Sequence, residues 1–351
     1  MSTLSSLPWR VAILAVMAGV LLKGTAAKAQ NLTFSTATGG VIVSGSGTAF
    51  SATFGNMNGL GAGTIPVGLT AVPMSNGTLY YAPIKMNVQG FLGSSASVTA
   101  YVSTNGQPMA LVGYGCPYPL SCNASGGYSV LSTSSGSPSN IVSPAIANNT
   151  TVTVGVGFFL PDNDGAAAYT GTSNVVITFT VTGSFFGFPI TKNVTLTLST
   201  TVQTAVQLTL ATAGGASINP GSDYSLNFSN VNALGIGPAT GLTTTTVAGG
   251  TIYHTPYVLN PEFSGFSSTV STIKVSLSMN FAYPAVLTLE DGATAGGPYT
   301  AISGTPTTIT SAATDRSSIT RYLGLFVSNV NGPTAHVGPD SATLTFTLTV
   351  P

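Results

Sequence analysis

Any chemistry in this chain has to come from a short list of side chains. Asp162-Asn-Asp164-Gly165 has the Asp-x-Asp-Gly opening of a calcium loop. Calcium takes several oxygen ligands, and an EF-type loop also supplies a bidentate Glu further on. Here Ala166-Ala-Ala-Tyr169 follows instead. His254 and His336 are the only histidines and so the natural candidates for a general base. The acid nearest His336 in sequence is Asp340, and no Gly-x-Ser-x-Gly elbow accompanies either ring. Eight scattered acids also make a glycosidase-type carboxylate pair hard to assemble. Tyr80, Tyr81, Tyr253 and Tyr257, with Phe91 and Phe266, could form an aromatic platform for sugars. The same residues on half-buried strands also suit core packing and cross-strand pairs. Cys116 and Cys122, in Cys-Pro-Tyr-Pro-Leu-Ser-Cys, are the only cysteines.

An internal repeat weighs these candidates. Phe50-Ser-Ala-Thr-Phe54-Gly-Asn56-Met-Asn58-Gly-Leu60-Gly61-Ala-Gly63 returns as Tyr224-Ser-Leu-Asn-Phe228-Ser-Asn230-Val-Asn232-Ala-Leu234-Gly235-Ile-Gly237. Gly68-Leu-Thr aligns with Gly241-Leu-Thr, and Gly77-Thr-Leu-Tyr-Tyr-Ala-Pro83 with Gly250-Thr-Ile-Tyr-His-Thr-Pro256. Asn87 aligns with Asn260, and the run from Gly157 to Gly165 with Gly324 to Gly332. Asp162 and Asp164 then face Asn329 and Asn331, which keep turn-forming side chains and lose both carboxylates. A turn accounts for both copies, so no metal is expected. His254 aligns with Tyr81 and His336 with Tyr169, which favours packing over catalysis. Asn56, Asn58, Asn230 and Asn232 sit among glycines and read as turn formers. Neither an enzyme nor a bound cofactor is expected. The sequons Asn76-Gly-Thr and Asn193-Val-Thr are ordinary for a chain so rich in Asn, Ser and Thr.

The elements that carry these residues are strands. Thr343-Leu-Thr-Phe-Thr-Leu-Thr-Val350 puts Leu344, Phe346, Leu348 and Val350 on one face and threonines on the other. Runs around Ile177, Leu196, Leu208 and Val275 alternate in the same way, separated by Gly, Asn, Pro and Ser clusters. The fold class expected is all-β, with two tandem, related β-sandwiches of the immunoglobulin-like or pilin-like kind. The repeat is too long for a solenoid. Residues 30–182 form the first sandwich and 206–351 the second. Residues 183–205 have no counterpart and read as an added hairpin, either an edge strand of the first domain or a connector.

Residues 1–29 read as a cleaved signal peptide. Arg10 precedes the apolar run Val11–Leu22, and Ala27-Lys28-Ala29 fits a small-x-small cleavage site. As a helix the run reaches only ~18 Å, against the ~30 Å of a bilayer core, so no membrane span is expected after cleavage. In an exported chain the cysteine pair predicts a disulfide, with a loop-closure contribution of roughly 2–2.5 kcal/mol. Removing the leader leaves five basic side chains against eight acidic ones, which excludes a basic nucleic-acid surface.

An exported, charge-poor, all-β chain with no catalytic constellation points to a structural role. Self-association into an extracellular filament, pilus-like fibre or surface layer is expected, through strand edges or donor-strand complementation. The donor candidates are Asn31–Ser35, with Leu32 and Phe34 on one face, and Thr343–Val350, with Leu344, Phe346 and Leu348. The alternative is a cell-surface adhesin that binds glycans through the tyrosines named above. In architecture and composition the mature chain resembles secreted pilin-like and spore-coat-like β-sandwich subunits of bacteria. That resemblance implies a secreted or cell-surface location and carries no individual residue over.

Overall fold

The computed structural model describes residues 31–90, 95–106, 112–116, 128–185, 188–220, 223–330 and 335–351. Residues 1–30, with the expected signal peptide, Phe91 and Cys122 lie outside the described residues, and Cys116 is described for its backbone alone, so the expected disulfide falls outside them too. The fold is all-β, and two compact units divide the chain. The first takes the residues up to Met57, Gly63–Pro161 and Gly171–Val202; the second takes Asn58–Ala62, Asp162–Thr170 and Gln203–Pro351.

The first unit begins with β1 (Asn31–Thr36), β2 (Val43–Ser46), β3 (Ala49–Met57) and β4 (Thr70–Met74). It continues with β5 (Gly77–Gln89), β6 (Ala96–Thr104), β7 (Val112–Cys116) and β8 (Ser129–Val130). It ends with β9 (Ser139–Ile146), β10 (Thr150–Pro161), β11 (Gly171–Phe185) and β12 (Phe188–Val202). One sheet runs β1-β5-β10-β7-β8, with β4 also on β5; the other runs β2-β3-β12-β11-β6-β9. Alternation puts Leu32, Phe54, Phe158, Ile177, Phe179 and Leu196 in the core, each no more than 1% exposed. The ring of Phe34 lies 4.8 Å from Phe179 and 5.4 Å from Phe50. Aromatic pairs of this kind contribute about 0.5–1.5 kcal/mol beyond area burial.

The second unit has β13 (Ala205–Thr212), β14 (Ile218–Asn219), β15 (Ser225–Leu226) and β16 (Thr243–Val247). Then come β17 (Gly250–Ser264), β18 (Val270–Met279), β19 (Leu287–Gly292) and β20 (Tyr299–Ala301). β21 (Thr307–Thr314), β22 (Ile319–Ser328) and β23 (Thr343–Thr349) complete it. Its larger sheet runs β13-β17-β22-β19-β20 with β16 on β17; β21-β18-β23 and β14-β15 pair separately.

The repeat read from the sequence is a repeat of pairings. β13 lies on β17 as β1 lies on β5, β22 on β17 as β10 on β5, and β23 on β18 as β11 on β6. The shared turn is also built alike. Asn58 Nδ2 donates to Ala62 O at 2.9 Å, and Asn232 Nδ2 to Ile236 O at 2.7 Å, while each side-chain oxygen accepts the matching N–H at 3.1 Å. Gly68 and Gly241 hold φ of +87° and +86°. A Cβ on either would stand 2.5 Å from backbone, of Gly40 and Ala216 respectively, so the repeated glycine is required sterically.

The segment 183–205 differs from both readings given above. β12 is neither an edge strand nor a connector. It is interior, antiparallel to β11 along its full length and parallel to β3, with a register shift at Ser199/Thr200. At that shift the Thr200 hydroxyl donates to Gly55 O at 2.9 Å.

Candidate functional site

The candidate site is the place in the second unit where no strand among the described residues takes the part of β12. In the first unit β12 fills the space between β3 and β11, with Val194, Leu196 and Leu198 fully buried. In the second unit, β23 pairs with β18 and with no other strand among the described residues. The copy of β3 is reduced to the two residues of β15, paired only with β14. A strand held by ladders on both sides keeps its nine residues; one held on one side does not.

Side-chain burial follows the same difference. Ile177, Phe179 and Val181 on β11 are at most 1% exposed. Their counterparts Leu344, Phe346 and Leu348 on β23 are half-buried. Leu32 and Phe34 on β1 are 0% and 6% exposed, whereas Leu208 and Leu210 on β13 are half-buried. Phe54 is fully buried and its copy Phe228 is not. The apolar side chains of β13, β15 and β23 thus pack on the core of this unit yet stay part-exposed, where their counterparts in the first unit are buried.

The two expected donor segments are therefore assigned differently. β1 is paired with β5 from Asn31↔Gln89 to Thr36↔Ile84, with Leu32 and Phe34 in the core, so it is not free to be lent. β23 is built into its own sheet, and the bare edge it presents can receive a strand.

The expected glycan platform is also corrected. Tyr80, Tyr81, Tyr253 and Tyr257 are 1%, 6%, 0% and 2% exposed, so none offers a ring face to a sugar. Tyr81 packs on Tyr128 at 4.3 Å. The Tyr253 hydroxyl donates to Asn232 O at 2.9 Å and accepts from Asn232 N–H at 3.0 Å, which anchors the repeated turn. The Tyr257 hydroxyl donates to Asp291 at 3.0 Å, and Asp291 also pairs with Arg321. Burial and the Asp291 charge push the Tyr257 hydroxyl well above its usual range. Nothing in the sequence joined Asp291 to Arg321, because the contact depends on β19 lying beside β22.

His254 is 3% exposed on β17, 3.2 Å from the Thr245 hydroxyl and 5.4 Å from the Tyr299 ring, and burial lowers its pKa. His336 stacks on Tyr283 at 3.8 Å. Burial alone would raise the Asp340 carboxyl, but N–H donors from Ala282, Ser341 and Tyr283 hold it below the usual range. Asp340 is thus a loop clasp, and the two histidines occupy separate aromatic contacts.

Asp162 and Asp164 lie in the second unit, next to Asp315 and Arg316. Gly165–Ala167 forms a short 3-10 turn, in keeping with a turn at this point. Burial pushes the Asp164 carboxyl up to about 6; a hydrogen bond from Phe266 N–H opposes this, and the nearby Asp162 and Asp315 add to it. Asp315 joins from the β21–β22 turn with no sequence motif to announce it.

Comparison with protein-family models finds no match, and comparison with curated proteins finds none either. Solved structures do align over most of the chain. The CupB6 tip adhesin from Pseudomonas aeruginosa is 9% identical, covering 93% of this chain and 94% of its own, with a TM-score of 0.30. The CsuC–CsuE chaperone–tip adhesion subunit complex of Acinetobacter baumannii Csu pili gives 8%, 91%, 99% and 0.31 for the same measures. A chaperone–tip adhesin complex of CFA/I fimbriae gives 11%, 91%, 83% and 0.22. Superpositions this loose carry no functional argument. No helix among the described residues is long and apolar enough to cross a membrane.

Proposed function

We propose that this chain is a subunit of an extracellular fibre and that its second unit is completed by a β-strand lent from another protein. One observation carries the reading: the two units share most of their pairings, and among the described residues of the second no strand takes the place that β12 fills in the first. The chain thus provides its own template for the missing piece. The lent strand runs antiparallel to β23 and alternates Val or Leu inward with Thr or Ser outward, as Val194 to Ser199 does. Moving Leu344, Phe346 and Leu348 from half-buried to buried contributes roughly 1 kcal/mol each, half the full burial of such side chains. The ladder formed on the bare edge fixes register. This role needs no catalysis, and it places the protein at the cell surface or beyond it. A platform built on Tyr80, Tyr81, Tyr253 and Tyr257 has no support, since all four are core residues.

The test copies the first unit. Residues 183–202, which follow the Thr349 counterpart Thr182 and carry β12, are added directly after Thr349 of the mature chain. Calorimetry should then show the second unit melting several degrees higher, and electron microscopy should show loss of any filaments the parent forms with its partner subunits. An added strand that leaves both melting and assembly unchanged would sink the reading.

A further inference from the structure

We infer that Asp162, Asp164 and Asp315 form a calcium-binding site in the second unit. Each offers one carboxylate oxygen, and these oxygens all lie within 4.8 Å of one another. Oxygens around one calcium stand about 2.3–2.6 Å from it, so two on opposite sides are about 4.6–5.2 Å apart. The spacing matches a shared ion.

Backbone donors hold two of the carboxylates in place. Phe266 N–H donates to Asp164 Oδ1 at 3.0 Å, and Phe263 N–H to Asp315 Oδ1 at 2.8 Å. Gly165 N–H to Phe266 O at 2.8 Å and Gly265 N–H to Asn163 O at 3.1 Å tie the two loops together. Oδ2 of Asp164 and of Asp315 lies outside those two hydrogen bonds.

Asp162 supplies the independent pointer to a ligand. Its side chain is 2% exposed, and Oδ1 is buried with no hydrogen-bond partner. Arg316 Nη2 stands 2.5 Å from Oδ2, yet Oδ2 accepts no hydrogen bond of acceptable geometry, so the contact is ionic only. The Arg316 Nε is also 3.5 Å from Asp315 Oδ2. One guanidinium facing three carboxylates leaves two negative charges uncompensated. Burying such charges unpaired is costly, and a divalent cation removes the deficit. A donor set of oxygens alone, with no His or Cys, selects a hard cation, and calcium tolerates irregular geometry better than magnesium. The Glu missing from the Asp-x-Asp-Gly loop is replaced by Asp315, brought in by the fold.

Calorimetric titration of the chelator-stripped mature chain with calcium chloride is the test. One ion per chain is expected, with a dissociation constant of about 10⁻⁴–10⁻³ M, the range of extracellular modules. The second unit's melting should rise by several degrees in calcium and return on adding chelator. Asp164→Asn and Asp315→Asn should each weaken binding at least tenfold while keeping the wild-type β-sheet spectrum. Arg316→Gln, which removes the competing cation, should bind more tightly. Absence of binding heat and of any melting shift in the wild-type chain at 10 mM calcium overturns the assignment, whatever the variants do. Equal response to magnesium, or unchanged affinity in both Asp variants, overturns it as well.

Discussion

At Tyr253 a hydroxyl that a sugar could have met is bonded twice to Asn232, inside the protein. The same logic applies one residue later. His254 is buried among aromatics, with its ring held neutral because burial lowers its pKa. The unfolded chain binds a proton at this ring below about pH 6.5, and the folded chain resists it. Stability from this group is therefore complete above the unfolded pKa and is lost as pH falls below it. Urea unfolding of the second unit should show a lower midpoint at pH 5 than at pH 7.5, and His254→Phe should flatten the difference. An unchanged pH dependence in that variant would assign the acid sensitivity to another group. The aligned Tyr81 fills the equivalent place in the first unit, so the first unit has no histidine there and should lack this contribution.

Among elements, β11 and β23 form a natural controlled pair, since they share a pattern and differ in what covers them. Ile177→Ala on β11 empties a site sealed by β12 and should cost about 2–5 kcal/mol. Leu344→Ala on β23 removes a half-buried side chain and should cost roughly half as much. Denaturant titration of each unit's transition measures both, and equal losses would contradict an open face on β23. The alternation of both strands was legible in the sequence, as was the turn held by Asn58 and Asn232. The place of β12 was not. Val194-Thr-Leu-Thr-Leu198 announces a strand but does not name its neighbours, and the Thr200–Gly55 bond spans 145 residues. Donor and acceptor look identical in sequence, because both need one apolar face; only the pairings show that β1 is already committed and that β23 has a bare side. Asp315 escaped for the same reason, having no motif linking it to Asp164. The tyrosines were ambiguous because alternation marks a buried face without saying which face of the sandwich it is.

For the molecule as a whole, the scarcity of charge was first an electrostatic observation. It is also a map of where a protease can cut. Trypsin needs Lys or Arg on a chain segment that can leave its ladder, and ladder-paired backbone seldom does so. Lys85, Lys192, Lys274 and Arg321 all lie within strands, β5, β12, β18 and β22. Arg316 alone among the basic residues of the described chain sits in a turn, between β21 and β22, beside the three carboxylates. Within residues 31–351 the folded protein should resist trypsin except at Arg316, giving two fragments by mass spectrometry, and calcium should slow that cut. Early cleavage at a strand-borne lysine would show that the ladder there opens more readily than its pairing implies. A chain built almost without basic residues is in this way nearly unreadable to an entire class of proteases, and the one turn-borne address among its described residues lies beside the proposed cation site.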